Sequence, residues 1–171
     1  MEEQKNESSN VAAGSYDAAD MPFDFVEEGA ATVLVCEPDP AVREKIVGAM
    51  KNLGYQITEA ADARDALRKS RFHVYDAVVL NERFGTENPD ANDLLAYLAT
   101  LPMTTRRQIF VTLVTDRFRN MDNMAAFNRS VNLIVNLKNM DDFTTIFKKG
   151  LADHTAFYQI FKESLKKMGK I

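Results

Sequence analysis

The sequence predicts an α/β fold: a doubly wound five-stranded parallel sheet with helices on both faces and an extra C-terminal helix. Five short apolar runs alternate with five stretches whose apolar residues recur at helical spacing. Several of these runs are continuously apolar, which is typical of strands buried on both faces of a parallel sheet. Each helix must then return the chain across one face, so the flavodoxin-like strand order 2-1-3-4-5 is expected.

Local signals place the elements in order. The predicted strands are residues 32–36, 55–60, 75–80, 109–115 and 132–137. The first helix follows Asp39, an N-cap residue, with Pro40 at its first position, and it ends at Gly54. The next three helices are expected at 62–70, 91–100 and around 121–127. A fifth is expected to end at Gly150, and a separate sixth to be capped by Asp153.

The chain divides into three predicted parts. Residues 1–29 are expected to form a flexible leader, because residues 1–20 have few large apolar side chains to bury. The apolar stretch 22–26 within the leader either docks on the domain or is a linker. Residues 30–150 form the compact domain. Residues 151–171 form an amphipathic helix with one apolar side, made of Phe157, Ile160, Phe161, Leu165 and Met168.

Composition excludes several classes of protein. Hydrophobic residues make up 46% of the 171, enough for one core, and no apolar run is long enough to cross a membrane. The net charge of −4 argues against nucleic acid as the main partner. The acidic N-terminus lacks the features of a secretory signal, so a cytoplasmic protein is expected. With Cys36 as its single cysteine and no clustered histidines, the chain is expected to bind no metal or other cofactor.

Polar residues at the predicted strand ends carry a resemblance. Residues 33–43 (VLVCEPDPAVR) combine an apolar strand, an acidic residue and a proline-started helix, and the third, fourth and fifth strands lead to Asn81, Thr115 and Lys138. From about residue 31 to 150 the chain resembles the bacterial response-regulator receiver domain, a CheY-like fold. The resemblance implies a phosphate-accepting aspartate at position 81, a phosphoryl-contacting threonine at Thr115 and a charge-neutralising lysine at Lys138.

Several positions depart from the receiver pattern. Asn81 is uncharged and cannot form an acyl phosphate. Glu37 retains the first residue of the family's acidic pair, but Pro38 replaces the second and offers no side-chain oxygen to Mg²⁺. Further departures are Asp116 where the family has a small residue, Val135 at the aromatic switch position, and Arg83 two residues after the acceptor position. The site is therefore expected to lack phosphorylation chemistry. Asn81 either mimics a neutralised aspartate or marks a decayed site.

The retained polar residues have more than one interpretation. We expect Glu37 to pair with Lys138, since a buried lysine would otherwise lack a partner, and the alternative is that Glu37 binds a ligand. Thr115 and Lys138 are expected to be retained for hydrogen bonding and packing. The arginines Arg117 and Arg119 are expected on a solvated face. An alternative function is a small-ligand sensor that uses Glu37, Thr115 and Lys138 as polar contacts.

The leading functional hypothesis is a phosphorylation-independent, receiver-like protein-interaction module in bacterial signal transduction. Receivers commonly bind partners through the face formed by their fourth helix, fifth strand and fifth helix. Here that face would present Met121, Met124 and Phe127, unless they belong to the core. The C-terminal stripe, including Phe157, Ile160, Phe161 and Leu165, either packs on its own domain or docks on a second copy or another protein. An enzyme is the least favoured reading, because no nucleophile–base pair is visible.

Overall fold

The computed structural model describes residues 28–170, so most of the predicted leader, residues 1–27, lies outside the described part of the chain. The strands are β1 Thr32–Cys36, β2 Gln56–Glu59, β3 Ala77–Asn81, β4 Phe110–Thr115 and β5 Leu133–Asn136. The helices are α1 Pro40–Asn52, α2 Ala63–Phe72, α3 Asp93–Thr100, α4 Met103–Arg106, α5 Asn123–Asn128 and α6 Phe143–Lys167. A 3₁₀ helix, Leu137–Asp142, joins β5 to α6.

The five strands form one parallel sheet in the order β2-β1-β3-β4-β5, as the sequence predicts. All residues of β1, β3 and β4 are buried, which explains why these runs are continuously apolar. Two apolar clusters lie on opposite faces of the sheet, one centred on residues such as Leu34 and Leu113, the other on residues such as Val35 and Phe110. Val135, at the predicted switch position, belongs to the second cluster and is fully buried.

Side-chain caps fix where four helices begin. Asp39, Asp62, Asn92 and Asp122 each accept a hydrogen bond from a backbone amide in the first turn of α1, α2, α3 and α5. The caps at Asp39 and Asp62 confirm the first two predicted helix starts. The short helix α4 was not predicted, and none of the helices in residues 28–170 is long and apolar enough to cross a bilayer.

The predicted break at Gly150 is wrong. Helix α6 runs without interruption for 25 residues, about 37 Å, so the predicted fifth and sixth helices are one. Gly150 is buried inside the helix, where a Cβ would lie 2.8 Å from Cδ1 of Leu133 in β5. The glycine that the sequence pattern predicts as the end of a helix is therefore a point of close approach between α6 and the sheet. Asp153 lies within α6 and caps no helix.

Candidate functional site: the crevice at the carboxyl edge of the sheet

The carboxyl ends of β1, β3 and β4 lie side by side at one edge of the sheet. Cys36 in β1 is in register with Leu80 in β3, and Asn81 is in register with Val114 in β4. Glu37, Asn81 and Thr115 are thus brought to the same edge, as their positions at the ends of parallel strands predict. A crevice of about 310 Å³ opens there, lined by Glu37, Pro38, Asp39, Val42, Asn81, Glu82, Arg83, Asp116 and Leu137.

Glu37 and Asn81 bind each other directly. The Asn81 Nδ2 donates to both carboxylate oxygens of Glu37, at 3.1 and 2.9 Å, and the Asp39 amide donates to Oε1 at 3.0 Å. The Asn81 Oδ1 accepts from the Arg83 amide at 2.9 Å, which fixes the orientation of the carboxamide. Both side chains are buried. The Glu37 carboxylate is therefore satisfied by donors of the chain itself.

The buried position of Glu37 affects its protonation. Burial raises the pKa of its carboxyl above the ordinary value, while hydrogen bonds from the Asp39 amide and the Asn81 side chain act in the opposite direction. An aspartate at position 81 would add a second carboxylate in contact with the first. The uncharged Asn81 avoids that repulsion and donates hydrogen bonds that an ionised aspartate cannot donate.

Arg83 and Asp116 approach each other at the crevice. The Arg83 Nη2 lies 3.6 Å from Asp116 Oδ1, and about half of each side chain is exposed. Such an exposed pair contributes little to stability. The pair does, however, place a cation and an anion in the crevice beside Asn81.

Thr115 does not face the Glu37–Asn81 pair. Its fully buried hydroxyl donates to Glu82 Oε1 at 2.7 Å and accepts from the Arg117 amide at 3.0 Å. The Glu82 carboxylate, also buried, receives three contacts from the Arg117 guanidinium between 2.7 and 3.2 Å. Arg117 also pairs with Asp90 at 3.2 Å, and Asp90 pairs with Arg129. These five residues form what we call the Glu82 network.

Sequence reasoning missed the Glu82 network. Arg117 is exposed, as predicted, but its guanidinium also binds a buried carboxylate. The hydrogen bonds to Glu82 and Asp90 raise the pKa of the Arg117 guanidinium, so it stays charged. A signal was present: Glu82 directly follows the buried strand β3 and so requires a cation nearby, and Arg117 lies two residues beyond the neighbouring strand.

Lys138 does not reach the crevice. Strand β5 ends at Asn136, whose Oδ1 accepts from the Lys138 amide at 2.9 Å and starts the 3₁₀ helix. Lys138 is exposed and makes no ion pair with Glu37, so the predicted Glu37–Lys138 pair is wrong. Glu37, Thr115 and Lys138 consequently share no pocket, contrary to the arrangement that the ligand-sensor alternative requires.

Comparison with solved structures identifies the fold. No family model and no curated protein matches the sequence. The chemotaxis response regulator CheY4 of Vibrio cholerae superposes with a TM-score of 0.55 and 14% identity over 71% of this chain and 98% of that chain. The chain has the fold of a receiver domain. The receiver domain of a histidine kinase from Syntrophus aciditrophicus gives a TM-score of 0.55 and 19% identity over 72% of this chain and 92% of that chain.

A third receiver domain, from a sensor histidine kinase of Pseudomonas aeruginosa, has a TM-score of 0.54 and 18% identity over 72% of this chain and 98% of that chain. That structure holds magnesium in its active-site cleft. In the present receiver fold, the residues of the crevice do not fit Mg²⁺. Glu37 is engaged by Asn81 and Asp39, Pro38 has no side-chain donor, and no group of three histidine, cysteine or acidic residues within 28–170 could hold a metal.

The predicted interface residues of this receiver fold differ in exposure. Met124, Phe127, Phe157 and Ile160 are exposed large apolar side chains, whereas Met121 is half-buried. Phe161 and Leu165 are also half-buried, and the Phe161 ring lies 5.3 Å from the Arg107 guanidinium. Helix α6 thus packs partly on its own domain and leaves part of its apolar stripe uncovered.

Proposed function

We propose that the chain is a phosphorylation-independent, receiver-like module that acts by binding another protein in bacterial signal transduction. The observation that carries this proposal is the hydrogen bonding of Asn81 Nδ2 to both oxygens of Glu37. Phosphoryl transfer to a receiver needs an ionised carboxylate as nucleophile and a divalent cation to neutralise charge. In this crevice Asn81 stands at the phosphate-accepting position and donates hydrogen bonds. The remaining carboxylate, Glu37, accepts them.

The Glu82 network supports a fixed state. In the receiver family the residue at the position of Thr115 contacts the phosphoryl group. Here its hydroxyl is already bound to the internal carboxylate of Glu82, which is in turn held by Arg117. We infer that the loops after β3 and β4 keep one arrangement whether or not a phosphate donor is present. The reason is that the Thr115 hydroxyl is already hydrogen-bonded to the Glu82 carboxylate.

The outer face formed by α5, β5 and α6 is the proposed partner surface. Phe127 in α5 and Phe157 in α6 line a common groove, and both remain about four-fifths exposed. Apolar side chains this exposed are typical of protein-binding sites. A second copy of the chain is one partner of the required chemistry, bound through this face or through the end of α6.

The test is exposure of the full chain to acetyl phosphate or to beryllofluoride, each with Mg²⁺. We expect no gain in intact mass and no NMR shift at Glu37, Asn81 or Thr115. A phosphoryl adduct, or shifts centred on Asn81, would overturn the proposal. The matched control is the variant Pro38→Asp/Asn81→Asp, which restores two carboxylates to the crevice and is expected to gain Mg²⁺-dependent shifts at these positions.

A further inference from the structure

An unfilled groove lies between α5 and the second half of α6. It measures about 470 Å³ and is lined by apolar side chains that include Phe127, Val131, Leu133 and Phe157. Phe127 is 79% exposed and Phe157 80%, and Ile160, about one turn further along α6, is 79% exposed. Burying these three side chains would remove apolar surface from water and so favour an apolar occupant.

A buried histidine forms part of the wall of the groove. His154 lines it and is buried, with its Nδ1 3.3 Å from Asn132 Nδ2. The Asn132 Oδ1 accepts from the Val111 amide and from Arg106, so its Nδ2 is the donor to the imidazole. The neutral ring then carries its proton on Nε2, and this buried atom has no hydrogen-bond partner among residues 28–170. The atom is enclosed, so an occupant of the groove does not contact it, and His154 contributes its ring to the wall of the groove.

The basic side chains near the groove favour an acidic occupant. Around the end of α6, residues 157–170 carry Lys162, Lys166, Lys167 and Lys170 against the single carboxylate of Glu163. Lys162 and Arg106 are close enough to His154 to act on it electrostatically, although Asp153 also lines the groove. Residues 29–171 as a whole carry 20 lysines and arginines against 17 carboxylates, whereas residues 1–28 carry eight carboxylates against Lys5 alone.

One segment of this chain matches both the apolar wall and the positive charge near it. Residues 20–28, DMPFDFVEE, place Phe23 and Phe25 on either side of Asp24 and add further carboxylates at both ends. We propose that this segment, whose residues 20–27 lie outside the described part of the chain, occupies the groove in the same molecule. Phe23 and Phe25 then contact the apolar wall formed by Phe127 and Phe157, and the carboxylates of the segment lie near the lysines at the end of α6.

The segment is long enough to reach. It enters the domain at β1, and three strand spacings of ~4.8 Å separate β1 from β5, about 14 Å in total. Six residues from Phe25 to Ala31 extend to about 20 Å, and eight from Phe23 extend to about 26 Å. This leaves slack for the turn at Glu28 and Gly29. Both Thr32 and the groove residue Asn132 lie at the amino edge of the sheet, just before or at the start of their strands.

The inference deepens the proposed function. It rests on that proposal in one respect only: the segment binds the same face, formed by α5, β5 and α6, that is proposed to bind a partner. The phosphodonor experiment tests the crevice at the carboxyl edge of the sheet, whereas the spin-label experiment tests the groove between α5 and α6. The two proposals therefore fail independently.

The experiment places a nitroxide at Met21→Cys of the full chain and measures the broadening of amide signals by NMR. Cys36 is buried, and burial raises the pKa of its thiol, so the label attaches at position 21. Compared with the reduced label, we expect signals of Phe127, Phe157 and Ile160 to weaken. Signals of Phe72 and Val74, an exposed apolar pair at the end of α2, are expected to be unaffected.

Two matched variants decide the outcome. Phe23→Ser/Phe25→Ser, and separately Lys166→Glu/Lys167→Glu, are expected to abolish or reduce the broadening, whereas Lys148→Glu/Lys149→Glu on the same helix is expected to retain it. Broadening that is absent, or equal at Phe72 and Val74, overturns the inference. Broadening seen only when labelled and isotope-enriched chains are mixed also overturns it, because the occupant would then come from a second copy.

Discussion

The Thr115 hydroxyl donates to Glu82 Oε1 across 2.7 Å at the carboxyl edge of the sheet. Both residues are buried, so the carboxylate depends on this hydroxyl and on the Arg117 guanidinium for its stabilisation. The contact ties the end of β4 to the residue after β3. It gives the threonine an internal anionic partner, which supports the proposed independence from phosphorylation.

Removing Arg117 is expected to destabilise the protein more than removing any neighbouring arginine. Arg117→Ala leaves the buried Glu82 charge with Thr115 as its remaining partner. We expect a loss of about 2–3 kcal/mol, below the ~3–5 kcal/mol of a fully buried pair because Arg117 is partly exposed. The free energy of unfolding in urea measures this loss.

Arg119→Ala is the control for this substitution. The Arg119 side chain is 92% exposed and lies 4.0 Å from Asp122, so its removal is expected to change stability by less than about 0.5 kcal/mol. The double variant Glu82→Gln/Arg117→Ala removes the stranded charge and is expected to be more stable than Arg117→Ala alone. If it is less stable, the cost does not arise from an unpaired Glu82.

Asn81→Asp is expected to destabilise the protein near neutral pH and to recover on acidification. The variant places two carboxylates in contact and removes the donation to Glu37, a hydrogen bond to a charged group worth about 1.5–3 kcal/mol. Repulsion raises the folded-state pKa of the pair, so stability is fully present below the unfolded-state pKa and is lost as pH rises through the folded-state pKa.

The measurement is the free energy of unfolding between acidic and neutral pH. Asn81→Ala removes the same donor without adding a charge, and its stability is expected to depend less steeply on pH. Equal pH dependence of the Asp and Ala variants would show that charge repulsion with Glu37 is not the cause. Unchanged stability of Asn81→Asp would contradict the role assigned to the Glu37–Asn81 contact.

The sequence predicts the sheet well because its signals are local and repeated. Continuous apolar runs place β1, β3 and β4, and the carboxyl ends of parallel strands bring Glu37 and Asn81 to one edge. The position of Lys138 could not be read in this way. It depends on the side chain of Asn136, which caps the 3₁₀ helix and turns the chain two residues before the lysine.

The pairing of Glu82 with Arg117 was hidden for a different reason. The two residues are 35 positions apart, and their contact depends on the direction of side chains just beyond two strands. Periodicity specifies side-chain direction within a strand but not after it ends. The charge of Glu82 alone indicates that a buried partner is needed, and it does not select among the nearby arginines.

His154 is expected to make the folded protein sensitive to acid. Its burial, together with the charges of Lys162 and Arg106, lowers the pKa of the imidazole from 6.5 to about 4. A lowered folded-state pKa stabilises the protein above the unfolded-state pKa, and this stability is lost as pH falls from about 6.5 towards 4. The slope is expected to be a fraction of the ~1.4 kcal/mol per pH unit of one fully linked proton.

His154→Gln tests this dependence, because glutamine keeps a polar group opposite Asn132 and has no charge to gain. We expect the free energy of unfolding of the variant, measured by chemical unfolding, to change less between pH ~4 and ~6.5 than that of the unmodified protein. An NMR titration of the imidazole provides the independent check. A His154 that titrates at or above 6.5 would contradict the buried, positively charged surroundings described for it.

Gly150→Ala is expected to destabilise the protein, whereas Gly48→Ala stabilises it. Both glycines lie within helices, where alanine gains up to about 1 kcal/mol over glycine. At Gly48 a Cβ meets nothing within 4 Å, so this gain is realised. At Gly150 it meets the buried Leu133 side chain at 2.8 Å, and overpacking of about 1–3 kcal/mol exceeds the gain. Urea unfolding of the two variants measures the difference. Equal stabilisation by both would mean that the close approach of α6 to β5 does not require glycine.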